Sequence, residues 1–306
     1  MKTYLECIPC FFRQALESSK IAGLNEVKQR EVLNKLAVII QKFPLSWSPP
    51  EAARGIYKII TKVSGKSDPY IDIKNKSNRK ALSIYYKLKK KVKHSRDSLL
   101  TAIELAIAGN VIDYGVKNSL NVDQEIRKIM AEESRIIKKE NKAIFNYAEF
   151  KKHLKKAKKV LYLADNAGET VFDRILIEEI KRIDGRKQIV YAVKEKPIIN
   201  DALRHDALIC GINNTAEIIS SGSDAPGIVI SLCNKKFLKL FKEADLIISK
   251  GQGNFEALSD SKRPIFFLFM AKCPVIVRDV CERIGKCELG NINLFYSNNK
   301  IRRRLK

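Results

Sequence analysis

Lys159-Val160-Leu161-Tyr162-Leu163-Ala164 runs directly into Asp165-Asn166-Ala167-Gly168-Glu169. The apolar run reads as a parallel strand buried on both faces. The polar cluster then falls at the strand's carboxyl end, where open α/β sheets hold their ligands. An acid, an amide, a glycine and a second acid at that spot fit a hard metal ion or a phosphate.

Downstream of about residue 155 the same rhythm repeats, short apolar runs alternating with helical patterns. That is the βαβ signature of a parallel sheet. Strands are expected over 160–164, 188–193, 217–220, 246–249 and 265–269, with a final edge strand over 293–296. Helices are expected over 170–183, 201–210, 232–244 and 273–284. Upstream, apolar residues recur at helical spacing, with breaks at Trp47-Ser48-Pro49-Pro50 and Asp68-Pro69-Tyr70. The expected fold class is α/β. A Rossmann-like, mostly parallel sheet with helices on both faces spans 155–306, behind an all-helical domain over 1–154.

Polar loops follow the first four strands. They are Asp165 to Thr170, Glu195 to Asp201, Ser220 to Gly227 and Lys250 to Glu256. Right-handed crossovers bring all of them to one edge of the sheet. Asp165, Asn166 and Asp201 offer oxygen ligands, which suit Mg²⁺ or Mn²⁺ better than a thiolate-seeking ion. Lys250 supplies a point charge for phosphate. Gly222, Gly251 and Gly253 allow the backbone to approach an anion. This is the equipment of metal-assisted phosphoryl hydrolysis. No Gly-x-Gly-x-x-Gly follows the first strand, which disfavours a dinucleotide site, and three histidines make no His-based metal site.

The 306 residues carry 58 Lys and Arg against 34 Asp and Glu, a formal charge of +24. Clusters at 87–93, 151–159 and 300–306 could neutralise nucleic-acid phosphates. They read more readily as solvated helix faces, and the field they set up would draw in a small anionic substrate. No nucleic-acid-binding motif accompanies them, so no specific nucleic-acid partner is expected. The start of the chain has no signal-peptide pattern, and no apolar stretch is long enough to span a bilayer. A cytoplasmic protein without a membrane partner is expected. The seven cysteines argue against a full disulfide framework. Cys7-Ile8-Pro9-Cys10 is the close pair, open to a structural role, a disulfide or a metal site completed by distant cysteines.

Taken together, Leu163 to Glu169, Pro197-Ile198-Ile199-Asn200-Asp201 and Ser249-Lys250-Gly251-Gln252-Gly253-Asn254-Phe255-Glu256 resemble the DUF89 family. Its members include damage-control phosphatases and methyltransferase-like proteins directed at acidic residues. Cys7 to Cys10 and Ala108-Gly109-Asn110-Val111-Ile112-Asp113-Tyr114-Gly115 are similar to its small stand-alone prokaryotic branch. The resemblance spans nearly the whole chain. It implies a divalent cation (Mn²⁺, Ni²⁺, Co²⁺ or Mg²⁺) held by Asp165, Asn166 and Asp201, and hydrolysis of small phosphorylated metabolites such as sugar phosphates. On that footing Lys250, Asn110, Ser221, Gly251 and Asn254 are the phosphate-binding candidates. Asp165, Glu169 and Asp113 are the catalytic ones. Glu169 stays open as base, as support behind a ligand, or as a plain first-turn helix acid. Two other functions compete: an S-adenosylmethionine-dependent carboxyl methyltransferase, and a nucleic-acid-binding protein.

Overall fold

A computed structural model describes residues 1–109, 131, 138 and 142–297. Five helices come first: α1 (Cys7–Ile21), α2 (Glu26–Ile40), α3 (Pro49–Ser64), α4 (Ile71–His94) and α5 (Ser98–Ala108). There follow β1 (Lys142–Phe145), α6 (Tyr147–Lys156), β2 (Lys159–Leu163), α7 (Glu169–Ile183), β3 (Gln188–Val193), α8 (Arg204–Ile209) and β4 (Glu217–Ser220). The chain continues with α9 (Lys235–Glu243), β5 (Leu246–Lys250), α10 (Gln252–Leu258), β6 (Ile265–Met270), α11 (Pro274–Ile284) and β7 (Ile292–Ser297).

The sheet runs β1-β7-β6-β5-β2-β3-β4. Neighbours pair in parallel except β6 with β7. The expected α/β class is therefore observed. β2 and β5 lie side by side at the centre, and the chain leaves β2 toward β3 on one flank while β6 is laid down on the other. Order reverses between β2 and β5, which opens a crevice at their carboxyl ends. The central strands are apolar along their length because both faces are covered. All five residues of β5 and all six of β6 are buried.

Three details depart from the sequence reading. β7 is an interior strand, held between β6 and β1, and all six of its residues are buried. Residues 142–145 are too short an apolar run to announce themselves, yet they form β1 and pair with β7. The expected division at residue 154 therefore does not coincide with the edge of the sheet. Residues 252–256, expected as loop, belong to α10.

The helical region also lacks a core of its own. α4 and α5 pack with α7 and one face of the sheet in a single apolar cluster that includes Ile84, Leu88, Ile103, Phe172 and Tyr162. α1 to α3 share the second cluster with the other face, through Phe11, Leu36, Ile56, Phe255 and Phe267. Two helical walls thereby rise beside the crevice. Among the described residues, no helix is long and apolar enough to cross a membrane.

Candidate active site

Backbone pairing builds the centre of the site. After β2 the chain pairs with the loop after β3: Ala167 N–H donates to Asn200 O (2.8 Å) and Ala202 N–H to Asp165 O (2.8 Å). Asn166 and Asp201 face each other in this short antiparallel bridge. Gly168, at φ 78°, then turns the chain into α7. Its N–H donates to Asn78 Oδ1 of α4 at 2.7 Å, so a helix from the first half of the chain holds the turn.

Asp165, Asn166 and Asp201 line a cleft of about 260 Å³ at this edge. Gln14 of α1, Pro50 of α3, Gln252 and Glu256 of α10, and Lys272 just past β6 complete its walls. The acids crowd one another. Burial, followed by the Glu169 and Asp201 carboxylates, pushes Asp165 well above the usual carboxylate range. Burial lifts Asp201 to about 6 against the opposing pull of Lys194, whose Nζ is 3.5 Å away. Asp201 Oδ2 is buried with that ammonium as its ion-pair partner, and no closer hydrogen bond completes it. A buried carboxylate oxygen held only by this long ion pair, beside a second repelled carboxylate, leaves room for a cation to complete it. Gly251 strengthens this point. At φ 82° it passes so close to Asp165 that a Cβ there would overlap the carboxylate. Among the described residues, no three His, Cys, Asp or Glu side chains converge to hold a metal. A donor set at this point needs the amide of Asn166, and Asp-Asn-Asp is an all-oxygen set suited to a hard divalent ion.

Behind the cleft sits a fully buried polar network. Asn166 Nδ2 donates to Asp165 Oδ2 (3.2 Å) and Glu169 Oε1 (2.9 Å), which puts the amide oxygen at the other end of the side chain. Lys250 Nζ donates to Glu169 Oε2 and Asp173 Oδ1, both at 2.9 Å. The Tyr162 and Tyr191 hydroxyls donate to Asp173 at 2.7 and 2.8 Å. Burial alone would lower the Lys250 pKa, but Asp173 and Glu169 outweigh it and raise it.

Several expected site residues are therefore placed elsewhere. Lys250 is 1% exposed and saturated by two carboxylates, and Glu169 stands behind Asn166; neither lines the cleft. Ser221 is fully buried, its Oγ accepting from Ser223 N–H at 3.2 Å. Asn254 is spent on backbone: its Nδ2 donates to Ala164 O (2.9 Å) and Lys250 O (2.8 Å), and its Oδ1 accepts from Ile228 N–H (2.8 Å). It ties the ends of β2 and β5 to the third loop. Gly251 contributes close approach to Asp165. Asn110 and Asp113 lie outside the described residues.

Sequence reading missed Lys272, Glu256, Asp173, Lys194 and Asn78. Lys272 and Glu256 could have been found by applying the strand-end rule to β6 and a helical period to 252–258. Asp173 lies one helical turn after Glu169, a spacing that puts both on one face. Nothing local marks Asn78 or Lys194.

A profile of the damage-control phosphatase ARMT1-like domain matches residues 3–287. The chain belongs to this family. It is 34% identical over 283 residues to damage-control phosphatase PH1575 of Pyrococcus horikoshii, covering 92% of this chain and 94% of that one. It is 36% identical over 288 residues to a damage-control phosphatase of Archaeoglobus fulgidus, covering 93% and 97%. The crystal structure of the Pyrococcus DUF89 protein superposes with a TM-score of 0.86 at 31% identity, over 97% of this chain and 100% of that one. The DUF89 resemblance read from the loops is thus the family found by comparison, with the α/β fold in common.

Proposed function

We propose that this protein is a metal-dependent phosphatase acting on small phosphate esters, sugar phosphates or related damaged phosphometabolites among them. The observation that carries the reading is the buried, mutually repelled Asp165 and Asp201 carboxylates beside Asn166, the Asp201 oxygen closing no hydrogen bond, in a cleft that also holds Lys272. The family's named phosphatases support it.

Asp165, Asn166 and Asp201 would hold the cation. When bound, it supplies Lewis acidity at the phosphoryl group and lowers the pKa of water. Lys272 draws the phosphate dianion into the cleft and offsets charge on the equatorial oxygens. Glu169 and Lys250 act from behind, fixing the Asn166 amide so that its oxygen and not its nitrogen faces the ion. Glu256 is the cleft carboxylate suited to accept a proton near neutral pH, because burial pushes it to about 7 even though Gln252 donates to it at 2.8 Å. The substrate enters between α1, α3 and the loop after β3.

The test is phosphate release from p-nitrophenyl phosphate and a phosphometabolite panel, with Mn²⁺, Ni²⁺, Co²⁺ or Mg²⁺ added. Metal-dependent release that vanishes in Asp165→Ala, with the fold intact by circular dichroism, is expected. Equal turnover in the variant, or methyl transfer from S-adenosylmethionine without phosphate release, would overturn the reading.

A further inference from the structure

Beside the cleft, across α3, lies a second recess of about 440 Å³ lined by Arg54, Tyr57, Lys58, Lys62, Lys196 and Asp224. The two hollows share one partition. Ala53 faces the cleft while Arg54, the next residue, faces the recess. Tyr57 of the recess donates its hydroxyl to Gln14 of the cleft wall at 3.2 Å. The loop after β3 runs between them, Ile198 on the recess side and Ile199 to Asp201 on the cleft side. Its turn is made by Ile199 at φ 41°, a strained conformation for a β-branched residue.

The recess is charged in an unbalanced way. Arg54 forms a two-pronged pair with Asp224, at 2.5 and 2.8 Å. Burial works against the Asp224 carboxylate, but Arg54 and then Lys58 hold its pKa below the usual range. The single carboxylate of the recess is thereby neutralised. Lys58, Lys62 and Lys196 are exposed and close no ion pair among the described residues. Lys58 and Lys62, one turn apart, point the same way from α3. Ala53 and Arg54 being neighbours on α3, and Asp224 and Pro226 lying two residues apart on one loop, the cleft and the recess adjoin along a common rim.

We propose that the recess binds the second phosphate of a bisphosphorylated small metabolite whose first phosphate enters the cleft. This rests on the phosphatase reading for the reaction at the first phosphate, but not for binding. Lysine ammonium groups suit a terminal phosphate, which presents three oxygens and needs no planar fork. The Arg54–Asp224 pair, already satisfied, serves as the wall between the two anions. The volume is that of a small-molecule site. A long polyanion would instead need a continuous basic track.

The experiment compares glucose 1,6-bisphosphate with glucose 1-phosphate and glucose 6-phosphate, in the parent protein, in Lys58→Glu/Lys62→Glu, and in the charge-matched control Lys155→Glu/Lys156→Glu on α6. Hydrolysis is followed with Mn²⁺, and binding to the metal-free protein by calorimetry. Expected is at least a tenfold fall in kcat/KM and in affinity for the bisphosphate in the α3 variant alone. Both monophosphates should stay within twofold. Equal losses for mono- and bisphosphates, equal losses in the control, or an unchanged bisphosphate affinity would each overturn the proposal. Absence of phosphate release from every ester by the parent would instead defeat the phosphatase reading, and calorimetry would still decide the recess.

Discussion

The backbone of Gly251 passes so close to the Asp165 carboxylate that no side chain fits between them. One residue follows β5 and the other follows β2, and they meet in the crevice where strand order reverses. Gly251→Ala would have to displace Asp165 and also hold an L-residue at φ 82°. We expect it to cost about 1–3 kcal/mol of stability and to lower turnover with Mn²⁺ at least a hundredfold. Chemical denaturation and phosphate release measure the two effects.

Asp165 is held among like charges, so its removal has opposite effects on stability and function. In the metal-free protein at pH 8, Asp165→Asn should raise stability, because it removes a buried carboxylate that Glu169 and Asp201 repel. Added Mn²⁺ should raise the melting temperature of the parent and leave that of the variant nearly unmoved. Thermal melts with and without EDTA check both. A variant less stable than the parent in EDTA would show that repulsion does not govern the site.

Lys250 separates two roles cleanly. A lysine that gripped substrate would, on replacement, raise KM and leave the fold alone. The structure has it neutralising Glu169 and Asp173 inside the protein. Lys250→Met leaves two buried carboxylates with their cation gone, at a cost of about 3–5 kcal/mol. Urea denaturation reads this directly.

Glu256 makes stability depend on pH in an unusual direction. Its carboxyl is raised from the ordinary 4.5 to about 7, chiefly by burial. Between those values the native state keeps a proton that the unfolded chain has lost, so stability falls as pH rises. The contribution is whole below pH 4.5 and gone above about 7. In metal-free protein it amounts to roughly 2 kcal/mol after allowance for partial exposure. Glu256→Gln should remove that part of the fall in unfolding free energy between pH 5 and pH 8, read by urea denaturation at each pH.

The sheet and its binding edge were legible in the sequence because buried parallel strands are continuous apolar runs and their carboxyl ends carry polar loops. Asp165, Asn166 and Asp201 were found by type and position, and the structure brings them together. Lys250, expected at a phosphate, is placed by the structure against two buried carboxylates. A lysine ending a strand beside glycines looks like an anion site. What it meets instead is decided by Asp173, one turn into a different helix, and no spacing within its own loop reveals that partner. β1 stayed hidden because four residues carry too little pattern, and Asn78 because its partner, the Gly168 amide, lies ninety residues away.

The short backbone bridge between Asn166 and Asp201 carries one more implication. Side chains in such a bridge alternate from face to face, so a slip by a single residue would present Asn200 or Ala202 in place of Asp201. The spacing of the oxygen donors is thus inherited from an alignment of main chains. A copy of this chain that closes the two loops in the wrong register would keep most of its core yet fail to bring the three oxygen donors together. On the metal-dependent reading, cation binding would therefore report the register of this bridge as well as the chemistry of its side chains.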